Sequence, residues 1–140
     1  MYTIINGGIE LQKQLTKNFQ AIEFACTHCG KLKISNLLVN RLQEFRDLVD
    51  TPVHINSGYR CDQHVVEANY NKTSEHNLGN AADIRLDNEH NLYEIFLILI
   101  KMFPRVGMYH TQNGRGFIHV DTKKDNLYWI NDRVNGNGRY

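Results

Sequence analysis

Ser74-Glu75-His76-Asn77-Leu78-Gly79-Asn80-Ala81-Ala82-Asp83, answered later in the chain by Phe117-Ile118-His119-Val120-Asp121, is the pair of segments on which the reading of this sequence turns. Successive side chains of a β-strand point to opposite faces. Over 81–86 that alternation sends Ala82, Ile84 and Leu86 to a core and Asp83 to the other face. Over 117–121 it sends Ile118 and Val120 inward and places His119 and Asp121 together on the outer side. Gly79 can adopt a turn conformation closed to other residues and swing the chain from His76 back towards Asp83. His76, Asp83 and His119 are thus expected around one ion.

Two imidazoles and a carboxylate, with a fourth position left to water, suit a catalytic zinc. A structural zinc is more often closed by four protein ligands. Taken singly these residues say little, because an isolated His or Asp in a polar loop is usually a cap or a solvated group. Their combination and shared facing make a hydrolytic zinc enzyme the first reading.

The surrounding elements follow from periodicity. Leu38, Leu42, Phe45 and Val49 recur at helical spacing behind Ser35, a good N-cap, so a helix is predicted over 35–49 and stopped by Asp50-Thr51-Pro52. A short strand is expected at 53–56, a short helix at 62–68, a polar loop over 69–80 and a second long helix over 88–103. Strands at 105–110 and 116–122 flank Asn113-Gly114, a hairpin signal. Helices with an antiparallel sheet and no alternation of strand and crossover helix predict an α+β fold.

A chain of 140 residues fits one domain, expected to span 1–134 with a loose tail at 135–140. Its 16 basic and 15 acidic side chains leave a formal net charge of +1 and no dense basic run, so no nucleic-acid partner is expected. The first residues lack the basic and apolar regions of a signal peptide. The most apolar window, 92–103, carries Glu94 and Lys101 and is too short for a bilayer. The expectation is a protein made in the cytoplasm, without membrane insertion, that reaches any outer site by another route. A monomer is expected.

Cys26-Thr27-His28-Cys29 has metal-clip spacing, and Cys61 with His28 could complete a four-ligand structural zinc site. The competing readings are buried thiols, or one disulfide to Cys61 in an oxidising compartment. Tyr128 and Trp129 could line a groove, although such residues more often close a core.

Ser74-x-His76-x-x-Gly79-x-Ala81-x-Asp83 and the late Phe-Ile-His119-Val-Asp121 resemble the M15 zinc peptidases. These are D-alanyl-D-alanine carboxypeptidases and L-alanyl-D-glutamate endolysins, related in fold to the hedgehog signalling domain. Phe24-x-Cys26 and Asn56-Ser57-Gly58-Tyr59-Arg60-Cys61-x-x-His64 are similar to the type 3 subgroup, common in bacteriophages and bacteria. The resemblance implies His76, Asp83 and His119 as zinc ligands. It implies Arg60 as the group that binds substrate and stabilises charge on the scissile carbonyl, against a plain structural salt bridge. It aligns Ser74 with the motif's leading serine, on the substrate-binding side; a zinc-activated water leaves no need for a serine nucleophile, so its hydroxyl is read as shaping the loop or supporting a ligand.

Two departures stand out. Many relatives carry a catalytic carboxylate three residues before the final His, where this chain has Gly116. Asp121 is the first alternative for the general base, against a role orienting a ligand imidazole, and Glu75 is the outside candidate. Val65, Asn69 and Tyr70 replace the Asn and Gly-Gly common in the subgroup.

The implied substrate is a peptidoglycan stem peptide and the implied partner the cell wall, with a phage lysis or virion-associated protein as the setting. The rival reading is a non-catalytic zinc-containing binding or virion structural domain of the same fold. A third is an interaction protein built on the Cys26–Cys29 clip.

Overall fold

The structure is a computed structural model and describes residues 1–69, 72–87, 91–110 and 116–131. The expected hairpin turn at 111–115 and the tail at 135–140 lie outside the described residues.

Two sheets organise the chain. A ribbon pairs β1 (Tyr2–Ile5) with β2 (Leu32–Ser35) antiparallel. The larger sheet contains β3 (His54–Ser57), β4 (Ala81–Arg85), β5 (Arg105–His110), β6 (Gly116–Asp121) and β7 (Leu127–Asn131), in the order β3-β4-β6-β5-β7. All its neighbours are antiparallel except β5 and β7, which run parallel. The fold is therefore α+β as expected, with one parallel edge strand added.

Helix α1 (Asn36–Val49) begins where Ser35 accepts a hydrogen bond from Leu38 N, a standard N-cap that satisfies an otherwise orphan donor. It ends at Asp50 in the left-handed conformation, just before Pro52. Leu38, Leu42 and Phe45 are buried, and Val49 packs at the edge of the same core. That core continues through Phe24, Leu32 and Ile34 to Ala82, Ile84, Ile118 and Val120, the inward face expected of the strands. Burying each such aliphatic side chain contributes about 1.5–3 kcal/mol before entropy is counted.

Three expectations need correction. The second long helix is shorter: α4 (Leu92–Leu99) starts at Asn91, whose side chain accepts from Tyr93 N and Glu94 N and so sets the boundary. The helix expected at 62–68 contracts to α2 (Val65–Ala68), capped by His64. The polar stretch 69–80 contains a one-turn helix, α3 (Glu75–Leu78), too short to show a hydrophobic period. Strands β1 and β7 were not foreseen, although Thr3-Ile4-Ile5 and Tyr128-Trp129-Ile130 carry the β-branched and aromatic residues that favour strands.

Trp129 lies over Gly107 on β5, where an added Cβ would stand 2.2 Å from the indole Cε2. Gly107→Ala is expected to displace Trp129 and cost about 1–3 kcal/mol, the usual penalty of overpacking. Trp129 is the only tryptophan, so its emission followed through a urea titration reads both effects directly. Unchanged emission and an unshifted midpoint would contradict this packing.

Candidate metal centre

One transverse row of the large sheet carries the centre. Ser57 on β3 pairs with Asp83 on β4, Asp83 with His119 on β6, His119 with Gly107 on β5, and Gly107 with Trp129 on β7. A register irregularity between Ile55 and Ser57 sets the orientation of the β3 end of this row. Asp83 and His119 thus face each other across adjacent strands, on the side opposite Ile84 and Ile118.

His76 comes from α3, over the row. Ser74 caps this helix by accepting from Asn77 N at 3.1 Å. Gly79 closes it with φ +83, and a Cβ there would stand 2.6 Å from Lys33 O, so the turn requires glycine on both counts. Asn77 Nδ2 donates to Arg60 O at 2.9 Å, tying α3 to the Ser57-Gly58-Tyr59-Arg60 segment. Gly58 in turn lies against Phe24, where a Cβ would come within 2.7 Å of backbone atoms.

These supports aim the donors. His76 Nδ1 donates to Gly58 O at 2.7 Å, which leaves Nε2 as the free acceptor, 3.3 Å from Asp83 Oδ1. His119 Nε2 lies 2.7 Å from Asp121 Oδ2, and its Nδ1 stands 3.1 Å from the same Asp83 oxygen. One ligand atom from each of His76, Asp83 and His119 falls within 4.8 Å of the others. Zinc bonds of ~2.05 Å arranged tetrahedrally require donors about 3.3 Å apart, close to both measured separations. The donor chemistry and spacing therefore fit a zinc ion held by these three residues.

Electrostatics are consistent with a cation site. Burial alone would raise the Asp83 carboxyl, but His76 and then His119 outweigh it and hold the group well below the usual carboxylate range. Burial would lower His119, but hydrogen bonds to Asp121 and Asp83 win and push it up to about 9. The shift favours the imidazolium, whose two N–H groups face one carboxylate each.

The remaining expected residues play supporting parts. Arg60 directs Nε to Ser57 Oγ and an Nη2 hydrogen to Asp83 Oδ2, both at 3.0 Å, while Nη1 stands 3.7 Å from Glu67. It thereby occupies the outer oxygen of Asp83 and leaves Oδ1 for the centre. Ser74 donates to Glu67 Oε2 at 2.6 Å as well as capping α3, so its hydroxyl ties the loop to α2. Glu67, whose side chain is only 5% exposed, went unrecognised in the sequence; its place beside Arg60 depends on the fold alone.

Asp121 is fully buried. Oδ2 receives His119 Nε2 and Arg105 Nε, and Oδ1 accepts from Lys123 N. It stands behind the imidazole, on the nitrogen remote from Asp83. Both oxygens of Asp121 are thus engaged, one of them by His119, the contact that a group orienting this imidazole would make. Glu75 is engaged by Asn80 Nδ2 at 3.2 Å and is not among the converging donors. Gly116 lies on the core side of β6, where a Cβ would meet Leu92 Cδ2 at 2.5 Å and Tyr109 O at 2.6 Å. In this register a carboxylate at 116 would enter the core, away from His119.

Trp129 borders the centre, its ring 5.5 Å from that of His119, with Nε1 donating to Tyr109 Oη at 2.9 Å. Trp129 is partly buried against Gly107 and His119, while Tyr128 is half exposed.

A family model described as Peptidase M15 matches residues 10–121, most of the chain and every residue of the centre except the flanking Trp129. Among curated proteins none matches at a significant level.

Proposed function

The chain belongs to the peptidase M15 family, a family of metallopeptidases, and from that premise we propose that it is a zinc peptidase acting on the stem peptides of peptidoglycan. The bond is of the D-Ala-D-Ala carboxypeptidase or L-Ala-D-Glu endopeptidase type. One observation carries the reading: His76 Nε2 and His119 Nδ1 both converge on Asp83 Oδ1, and each imidazole has its other nitrogen already held, by Gly58 O and by Asp121.

His76, Asp83 and His119 would hold the ion. Zinc in such a site lowers the pKa of a bound water towards about 7 and polarises the scissile carbonyl. The protein's own groups do the positioning. Asp121 keeps His119 in the tautomer that presents Nδ1, and Gly58 O does the same for His76 Nε2. Arg60 steadies Asp83, and because a guanidinium carries five N–H donors, some remain for a substrate carboxylate or carbonyl oxygen. Trp129 offers an apolar wall beside His119 on which a peptide side chain can rest. Among the described residues, no helix is long and apolar enough to cross a membrane.

A second reading keeps the zinc but not the hydrolysis: a binding or virion structural domain of the same fold. The observation favouring it is that Gly116 stands where many relatives carry a carboxylate, and that both oxygens of Asp121 already accept hydrogen bonds. Incubation of zinc-loaded protein with purified peptidoglycan fragments, read by mass spectrometry, separates the two. The expected result is release of D-alanine or of fragments cut between L-Ala and D-Glu. Intact fragments from a zinc-replete, folded protein would leave the binding domain as the correct reading.

A further inference from the structure

A second cluster of metal-binding side chains lies apart from the row described above. Cys26, Cys29 and Cys61 are all free thiols, and their sulfurs fall within 4.8 Å of one another. A candidate fourth ligand lies at the edge of this group: His28 Nδ1 stands 3.6 Å from Cys61 Sγ. We propose that these four residues form a structural zinc site that clamps the Cys26–Cys29 turn to the segment carrying Gly58 and Arg60.

The local backbone supports this assignment independently of sulfur spacing. Cys26 N donates to Lys31 O and Gly30 N to Cys26 O, both at 2.8 Å, folding Cys26-Thr27-His28-Cys29-Gly30 into a tight knuckle. Gly30 closes it at φ +72, a conformation glycine adopts without cost. That turn brings Cys29 back beside Cys26, as two ligands from one Cys-x-x-Cys must be. Cys61 N donates to Cys26 Sγ at 3.4 Å, the kind of amide contact that favours a thiolate over a thiol.

Zinc–sulfur bonds of about 2.3 Å place tetrahedral sulfurs about 3.8 Å apart, within the observed spread. Binding would release the three thiol protons to solvent, and three thiolates with a neutral imidazole around Zn²⁺ leave a net charge of −1. With four protein ligands the site would be closed to water, which suits a structural ion.

Position gives the site a purpose. Cys26 follows the 3-10 helix Ala21–Phe24, and Phe24 packs on Gly58, while Cys61 directly follows Arg60. Between them, Gly58 O holds His76 and Arg60 holds Asp83. An ion here would fasten the two supports of the other centre from outside, without touching it. The inference does not depend on the peptidase reading.

The test uses full-length protein purified under reducing conditions. Elemental analysis is expected to find two zinc ions per chain, and one in the His76→Ala/His119→Ala variant. That remaining ion should be lost in Cys29→Ser and Cys61→Ser added to the same background, and released by a mercurial thiol reagent. Should the double-histidine variant fail to fold, cobalt-loaded wild-type protein supplies the same answer through a thiolate-to-cobalt charge-transfer band in the near ultraviolet. The proposal is overturned if the native, metal-replete protein leaves all three thiols open to a thiol reagent, if its mass reveals a disulfide among them, or if the cobalt spectrum lacks the thiolate band. None of these outcomes bears on peptidoglycan cleavage, so each reading stands or falls by itself.

Discussion

Asp83→Asn is expected to lower kcat/KM for peptide hydrolysis by at least about a thousandfold, on the order of 4 kcal/mol in transition-state stabilisation. Asp83 is the hub of the centre: Oδ1 faces both imidazoles and Oδ2 faces Arg60. Asparagine preserves its shape and can still accept from Arg60, so the sheet row should survive. It removes the only negative charge among the three converging donors, and a neutral amide is a poor partner for zinc. Loss of activity should therefore coincide with loss of one zinc ion per chain while far-ultraviolet circular dichroism stays unchanged. A folded variant that kept both its metal and its rate within tenfold would remove Asp83 from the centre.

For Asp121→Asn the expected effect is a 10–100-fold loss of zinc affinity at the centre, the range typical of groups that orient a ligand imidazole. The pH dependence identifies the mechanism. In the wild type, His119 sits between Asp121 and Asp83 with its pKa pushed up to about 9. A protonated imidazole cannot bind metal, so the ion must displace a proton. Zinc affinity should rise with pH, about tenfold per unit for one proton, and level off above about 9. Asparagine cannot stabilise the imidazolium in this way, so the rise should end at lower pH in the variant. The two affinities consequently diverge most in alkaline solution, where proton competition has gone, and approach each other near neutrality. Chelator-buffered zinc titrations from pH 6 to about 10 measure this. Identical plateau positions in the two proteins would rule out Asp121 as the partner of His119.

Much of the centre was legible because strand alternation is a strong constraint. Ile84, Ile118 and Val120 had to face a core, and that alone turned Asp83 and His119 to the same side of the sheet. Gly79 marked the turn returning His76 to them, and its left-handed conformation against Lys33 O bears that out. Ser35 and the Leu38-Leu42-Phe45 stripe located α1 within a residue. The one-turn α3 and the boundaries of α2 and α4 were less accessible. Helices this short are held by caps and tertiary contacts, such as Asn77 on Arg60 O, more than by any period of their own.

Roles proved harder to read than positions. Nothing local distinguishes Asp121 as a base from Asp121 as an orienting group. That depends on Arg105 and Lys123 N filling its oxygens and on which nitrogen of His119 it meets. Glu67 had no motif to announce it, and the parallel docking of β7, which brings Trp129 over Gly107 beside His119, joins segments with no local pattern in common. By itself, then, the chain's order of residues determined the α+β class, the inward and outward faces of β4 and β6 and the identity of the converging donors, because these follow from short-range periodicity and turn chemistry. Register across five strands, the burial of Asp121 and the gathering of Cys61 to the Cys26–Cys29 turn were decided only in three dimensions, since each depends on contacts between residues far apart in the chain.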